Sequence, residues 1–341
     1  MPKTMLFLIL LLISFVAASD AHTSLNSSFD SLGPTVQNIE TKNGRKIHYI
    51  DDGNSKGIPV VFTGGLGTSV RAIRLLDFLK TMRNDLNIRM ITVERNGFGQ
   101  TQFNPSLDMS NYAEDVENVL NHLSINRFAV FGISGGGPYT AKIASRNKNR
   151  LLSIHMAATS PLIGQKSWCN ADPGASVYRD MLAYPMQFFG FPESSTMHQI
   201  IGFQDTAFEE AARAHNLRGQ SADAAPLDHE IDLYCKEGVI DTRSINADVF
   251  VYRGQADTLL KGEKKDIWAN SYPNAQVIVR NYAGEGHDIQ YRHLDQILLD
   301  IAGRGPDVLV CHDGAAQMIS EENLAGVLKD RGKLGLCEWQ N

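Results

Sequence analysis

The sequence has no excess of basic residues. Its 341 residues include 32 lysines and arginines against 38 aspartates and glutamates, a formal net charge of −6 at pH 7. Proteins that bind nucleic acids need clustered positive charge to neutralise phosphates, so no nucleic-acid partner is expected. The sequence also contains no CxxC pair and no His-x-His cluster, so no metal site is predicted.

Long apolar segments are absent except near the N-terminus. Residues 5–18 are apolar apart from Ser14, and this run is shorter than the about 20 residues that span a bilayer. Lys3 precedes the run, and Ala17 and Ser19 suit the −3 and −1 positions of a cleavage site. We therefore predict a secretory signal peptide at residues 1–19 and a secreted protein without membrane association after cleavage; an uncleaved signal anchor is the alternative.

Cysteine is scarce, with four residues in the whole chain. An even number of cysteines in a secreted chain favours disulfide bonds, and more than one connectivity is open. We prefer Cys169–Cys235 and Cys311–Cys337, because each pair brackets a single segment of the sequence. Free buried thiols are the alternative.

Strand and helix patterns alternate through the middle of the chain. Apolar and polar residues alternate on both sides of Asn43-Gly44, which predicts a hairpin with a tight turn. Helical periodicity occurs at residues 70–82, 112–123 and 136–146. Apolar runs typical of buried parallel strands lie at residues 58–62, 90–93, 128–133, 151–156, 249–252 and 275–279. The alternation predicts an α/β fold with a doubly wound, mostly parallel sheet.

This alternation is interrupted at about residues 160–246, a stretch rich in aromatic residues and methionine. Its periodic parts, residues 205–215 and 228–237, predict a helical insertion over the sheet, which we call the cap. Aromatic residues of the cap form its own core, line a ligand cavity above the sheet, or do both; Phe188, Phe189 and Phe191 are examples. We expect such a cavity to determine substrate specificity.

The strongest chemical signal is Gly132-Ile133-Ser134-Gly135-Gly136, a G-x-S-x-G motif between a predicted strand and a predicted helix. A sharp strand-to-helix turn holds its serine in a strained conformation and exposes the hydroxyl, while the flanking glycines permit close packing. The following helix N-terminus directs backbone N–H groups at developing negative charge. Ser134 is therefore the candidate nucleophile, and the Gly135 N–H is a candidate oxyanion donor.

A serine hydroxyl needs a base, and the base needs an orienting acid. Asp257 and His287 each follow a predicted strand, at the strand ends where open α/β sheets place their active sites. We predict the catalytic residues Ser134, Asp257 and His287. Glu285 and Asp288, which flank the histidine, are the alternative acids.

A second oxyanion donor is expected from the loop Thr63-Gly64-Gly65-Leu66-Gly67, because its glycines let the backbone approach a substrate oxygen. The Gly65 N–H is the first choice, and the Leu66 N–H is the second. His293 is the histidine nearest to His287 in the sequence, but it falls in the next predicted helix. We therefore expect it to lie on the surface or to take part in packing.

Several motifs, in this order, resemble those of the α/β-hydrolase fold family, in its capped branch. Thr63-Gly64-Gly65 stands where the family usually has His-Gly-x, and Glu94-Arg95-Asn96-Gly97-Phe98-Gly99-Gln100-Thr101 resembles its D-R-P-G-x-G-x-S turn. Gly254-x-x-Asp257 and Gly286-His287 match its acid and base motifs. Thr63 replaces the common His and Asn96 the common Pro, so the oxyanion loop is expected to differ in shape. The resemblance covers about residues 36–302 and implies a hydrolase domain at residues 34–303. Residues 304–341 form a Cys-bracketed extension that resembles a small module at the ends of some extracellular proteins.

The resemblance and the residues together predict a secreted serine hydrolase that cleaves a small or medium carboxylic ester or lactone. This chemistry needs no metal and no organic cofactor, and its partner is the small-molecule ester itself. A serine at position 134, where epoxide hydrolases and dehalogenases carry an aspartate, argues against both of those activities. A ligand-binding receptor that retains the triad, a non-hydrolytic lyase and an aminopeptidase of the same fold are the alternatives.

Overall fold

An eight-stranded sheet forms the centre of the computed structural model, which describes residues 34–170, 225–260, 264, 266–305 and 307–337. The strands are β1 Gln37–Glu40, β2 Lys46–Asp52, β3 Ile58–Gly64, β4 Ile88–Val93, β5 Phe128–Ile133, β6 Leu151–Ala157, β7 Asp248–Gly254 and β8 Val277–Tyr282. Their order in the sheet is β1-β2-β4-β3-β5-β6-β7-β8. Strand β2 is antiparallel to β1 and β4, and the remaining neighbours are parallel. The predicted mostly parallel sheet is confirmed.

Helices cover both faces of this sheet. They are the long 3₁₀ helix Val70–Leu79, α1 Lys80–Asp85, α2 Met109–His122, the short 3₁₀ helix Ser134–Gly136, α3 Gly137–Arg146, α4 Lys166–Cys169, α5 Ala225–Glu237, α6 Ile267–Ser271, α7 Ile289–Arg292 and α8 Leu294–Ile301. On one face, Val61 packs in a core that includes residues of α2, α3, α5 and α6; on the other, Val60 and Phe62 pack with the long 3₁₀ helix, α7 and α8. Successive strand residues point to opposite faces, so each buried strand contributes to both cores.

Local hydrogen bonds explain where the predicted boundaries are wrong. The predicted hairpin is confirmed: β1 and β2 are antiparallel, and the Gly44 N–H donates to the Thr41 carbonyl oxygen at 2.9 Å in a tight turn. The turn lies within a connection of residues 41–45, and only Gly44 of the Asn43-Gly44 pair has a positive φ. Strand β8 begins at Val277 rather than residue 275, because the Ala275 N–H is used in a turn with the Tyr272 carbonyl. Residues 70–82 divide into the long 3₁₀ helix and α1.

The cap is described only at its two ends. Helix α5 confirms the helical periodicity of residues 228–237, whereas residues 205–215 and Phe188, Phe189 and Phe191 lie outside the described residues. A disulfide between Cys169 of α4 and Cys235 of α5, with Cα atoms 5.7 Å apart, joins the two described ends.

The elements of the C-terminal extension are β9 Val308–His312, β10 Ala315–Ile319, α9 Glu321–Lys329 and β11 Lys333–Leu334. Its strands form a second, three-stranded sheet of order β10-β9-β11. The disulfide Cys311–Cys337 lies in this extension and completes the cysteine pairing preferred from the sequence. The Leu309 N–H donates to Gln296 Oε1 at 2.7 Å, which ties the extension to α8. Among the described helices, none has the length and apolar character needed to cross a membrane.

Candidate active site

Ser134 occupies a sharp turn between β5 and α3. Its φ of +48° lies in the left-handed region, which costs a non-glycine residue conformational energy. Close packing surrounds the turn: a methyl group at Gly132 would overlap the hydroxyl of Thr140, and one at Gly136 would overlap the carbonyl oxygen of Gly64. The strained backbone therefore requires these small neighbours, as the G-x-S-x-G motif predicts.

The structure brings Ser134, His287 and Asp257 together from three strand ends. His287 Nε2 lies 2.9 Å from Ser134 Oγ, and His287 Nδ1 lies 2.8 Å from Asp257 Oδ2. Asp257 and His287 are both buried. Asp257 also accepts the Leu259 N–H on Oδ1 at 2.9 Å, so its carboxylate is held on both oxygens. The three side chains form a continuous hydrogen-bonded chain that ends at the serine hydroxyl.

The other acids beside His287 are directed elsewhere. Glu285 Oε2 lies 3.0 Å from Arg292 Nε, and Asp288 pairs with the same guanidinium. His293 is buried, and its ring stacks on Tyr282 with centroids 3.8 Å apart. Of the acids proposed from the sequence, Asp257 is therefore the one whose carboxylate meets the His287 ring.

The loop after β3 differs from the sequence prediction in its N–H directions. The Gly65 N–H, the first-choice oxyanion donor, donates to Thr68 Oγ1 at 2.7 Å, because the chain turns back on itself there. The Leu66 N–H has no hydrogen-bond partner among the described residues. A methyl group at Gly135 would lie 3.0 Å from the Leu66 nitrogen, so that N–H lies beside the turn after Ser134. Leu66 and Gly135 are the pair of donors that this geometry favours.

A buried polar network, which the sequence reasoning missed, lies beneath this loop. Arg95 pairs with Glu230 of α5, and both side chains are 2% exposed. The Gly67 N–H donates to Glu230 Oε2 at 3.1 Å, and the Tyr234 hydroxyl donates to the Gly135 carbonyl at 2.6 Å. Arg95 belongs to the motif at residues 94–101, whereas the sequence signal for Glu230 and Tyr234 was their spacing, four residues apart on one face of a predicted helix.

Glu94 is a second buried carboxyl group close to the site. Its Oε1 accepts the Val70 N–H at 2.9 Å, and its residue is 3% exposed. Burial penalises the charged form and raises the pKa of Glu94 from its ordinary value of 4.5 to about 8. The folded protein therefore retains a proton on Glu94 over a pH range in which the unfolded chain has lost it.

This proton should make stability depend on pH. Because the folded pKa is raised, the free energy of unfolding should fall as pH rises from about 4.5 to about 8, by up to about 1.4 kcal/mol per pH unit from this group. Glu94→Gln keeps an acceptor for the Val70 N–H but does not titrate. Urea unfolding of both proteins at several pH values should show the variant gaining stability relative to wild type as pH rises. A constant difference between pH 5 and pH 8 would contradict the raised pKa.

In the parts of the chain described here, His, Cys, Asp and Glu residues form no group of three or more that could hold a metal ion. The arrangement that remains at the strand ends is a hydroxyl, an imidazole, a carboxylate and nearby backbone N–H groups. Such a set can transfer a proton and stabilise an oxyanion.

Comparison with known proteins finds one matching family model and many solved structures with a similar fold. The sequence model described as alpha/beta hydrolase fold matches residues 58–312. An esterase from Exiguobacterium antarcticum superposes with a TM-score of 0.59 at 16% identity, covering 79% of this chain and 99% of that one. An esterase from Rhodococcus superposes with a TM-score of 0.56 at 17% identity, covering 79% of this chain and 98% of that one. A bromoperoxidase from Bacillus anthracis superposes with a TM-score of 0.57 at 19% identity, covering 79% of this chain and 100% of that one. At these identities the similarity shows the fold, which is compatible with more than one activity.

Proposed function

The chain belongs to the alpha/beta hydrolase fold family, and from that premise we propose that it is a serine hydrolase of small or medium carboxylic esters or lactones. The observation that carries the proposal is the 2.9 Å contact between His287 Nε2 and Ser134 Oγ. A serine hydroxyl is a weak nucleophile until a base accepts its proton, and this contact supplies the base. The esterase names of several structural neighbours agree with this choice.

The reaction begins with proton transfer from Ser134 to His287 as Ser134 Oγ attacks the ester carbonyl. The negative charge that develops on the carbonyl oxygen accepts hydrogen bonds from the Gly135 and Leu66 N–H groups. The protonated His287 then gives its proton to the leaving alcohol, which leaves an acyl group on Ser134. Water, activated by the same imidazole, attacks the acyl carbonyl and releases the acid.

Asp257 acts through His287 rather than on the substrate. Its Oδ2 accepts the Nδ1–H of the imidazole at 2.8 Å, which fixes the tautomer with Nε2 free to accept the serine proton. Its negative charge also stabilises the imidazolium that forms during attack.

We propose that the protein acts outside the cell or in another oxidising compartment. The two disulfides support this, because disulfide bonds persist where thiols are not kept reduced. The apolar run at residues 5–18, interpreted as part of a signal peptide, agrees with the same route.

Hydrolysis of an ester series separates an enzyme from a receptor that retains the same residues. Nitrophenyl esters of increasing acyl length should be turned over with a clear preference, because apolar contacts discriminate by about 1–3 kcal/mol per methylene. An inert receptor would bind such compounds without releasing nitrophenol. Absence of turnover across the whole series, in protein shown to be folded, would contradict the proposal.

A further inference from the structure

One buried ion pair holds the oxyanion loop at both of its ends. Arg95 donates to the Thr63 carbonyl oxygen at the start of the loop and pairs with the Glu230 carboxylate. The other oxygen of that carboxylate accepts the Gly67 N–H at 3.1 Å, at the far end of the loop. Leu66, whose N–H is a candidate oxyanion donor, lies between these two anchored positions. The Arg95 and Glu230 side chains that anchor these two positions are each 2% exposed.

The second candidate donor is held by the same helix. The Tyr234 hydroxyl lies 2.6 Å from the carbonyl oxygen of Gly135 and 3.0 Å from Glu230 Oε1, and its single hydrogen is shared between these two acceptors. The Tyr234 ring is fixed by edge-on contacts with Trp168 and Tyr139. The residue is 2% exposed, so its hydroxyl has little freedom to rotate away from Gly135.

Helix α5 therefore contacts both halves of the oxyanion site through residues one helical turn apart. Glu230 reaches the loop after β3, and Tyr234 reaches the turn after β5. The next residue, Cys235, is bonded to Cys169, which fixes the helix beside α4. A displacement of α5 would move the Leu66 and Gly135 N–H groups together.

We propose that Glu230 and Tyr234 are positioning residues that hold the Leu66 and Gly135 N–H groups in the geometry needed for an oxyanion. This inference rests on the proposed hydrolase function and adds to it a dependence of catalysis on the docking of α5, the last helix of the cap. The oxyanion exists only in the transition state and the tetrahedral intermediates. Losing the positioning should therefore lower kcat more than it raises KM.

Tyr234→Phe tests this with the smallest change, because it removes the hydroxyl and keeps the packed ring. We expect kcat for the best ester to fall about 10- to 100-fold, since displacing an aligned group by about 1 Å has effects of that size. KM should change less than about twofold on the same argument. The matched control is Tyr49→Phe, which removes the hydroxyl of an equally buried tyrosine on β2. That hydroxyl donates to Gln37 Oε1 of β1 at 3.1 Å. Its kcat should equal that of wild type.

A second readout separates positioning from general destabilisation. Trifluoromethyl ketones form a tetrahedral oxyanion adduct on an active-site serine, so their affinity should fall by the same factor as kcat in Tyr234→Phe. Glu230→Gln is the second variant for the case in which Tyr234→Phe does not fold. It should also lower kcat and inhibitor affinity by the same factor. Equal kcat and equal inhibitor affinity in wild type and the α5 variants would overturn the inference, as would losses matched by Tyr49→Phe.

Ser134→Ala, measured beside these variants, distinguishes failure of the positioning inference from failure of the proposed hydrolase function. If Ser134→Ala is inactive while the α5 variants keep full kcat, the positioning role is wrong and the hydrolase proposal stands. If Ser134→Ala keeps its activity, both are overturned.

Discussion

Replacing Ser134 with alanine should lower kcat for ester hydrolysis by about six orders of magnitude. In the proposed reaction the Ser134 hydroxyl attacks the ester carbonyl, and it lies 2.9 Å from His287 Nε2, the proposed base. His287→Ala should cause a loss of similar size, because the members of such a unit fail together. The double variant should then be little worse than either single one. Steady-state assays on the best ester of the series measure all three.

Folding must be controlled in this experiment, because Ser134 lies in a strained, tightly packed turn. Alanine fits the space of serine without its hydroxyl, so the melting temperature should stay close to that of wild type. A folded Ser134→Ala or His287→Ala protein with activity within tenfold of wild type would reject the assignment of both residues.

Asp257→Asn should lower kcat by about 10⁴-fold. The asparagine amide can donate to Nδ1, which would favour the tautomer with the proton on Nε2 and prevent His287 from accepting the serine proton. The Leu259 N–H, which now meets Asp257 Oδ1 at 2.9 Å, would keep an acceptor if the amide oxygen faces it. The substitution therefore changes the proton arrangement with little change in shape.

Glu285→Gln is the matched control for Asp257→Asn. Glu285 lies two residues before His287 and was an alternative acid from the sequence, but its carboxylate contacts Arg292 at 3.0 Å. Its replacement should leave kcat within a few-fold of wild type. A large loss in Glu285→Gln together with a small loss in Asp257→Asn would reverse the choice of acid.

The sheet could be predicted because its signals are local. A buried parallel strand is a short apolar run, and each run predicted from the sequence overlaps a strand of the sheet. The exact ends depended on hydrogen bonds between particular groups, such as the bond from the Ala275 N–H to Tyr272 that delays the start of β8. Those bonds have no signature in hydrophobic periodicity.

The three residues at the strand ends were predictable for a similar reason. Ser134 lies in a motif with a distinctive turn, and the fold places the residues after β7 and β8 at the same edge of the sheet. The hydrogen bond from the Gly65 N–H to Thr68 Oγ1 could not be predicted, because it depends on the rotamer of a side chain three residues later. Glu230 and Tyr234 were missed because their partners lie far away in the sequence and only the folded chain brings them together.

The most direct test of the proposed chemistry is the covalent labelling of Ser134 by a fluorophosphonate. Intact mass spectrometry of wild type after incubation should show a single adduct, and peptide mapping should locate it on Ser134. Ser134→Ala should remain unlabelled, and Tyr49→Phe should be labelled at the wild-type rate. An unlabelled wild-type protein, or an adduct on another residue that persists in Ser134→Ala, would contradict the account.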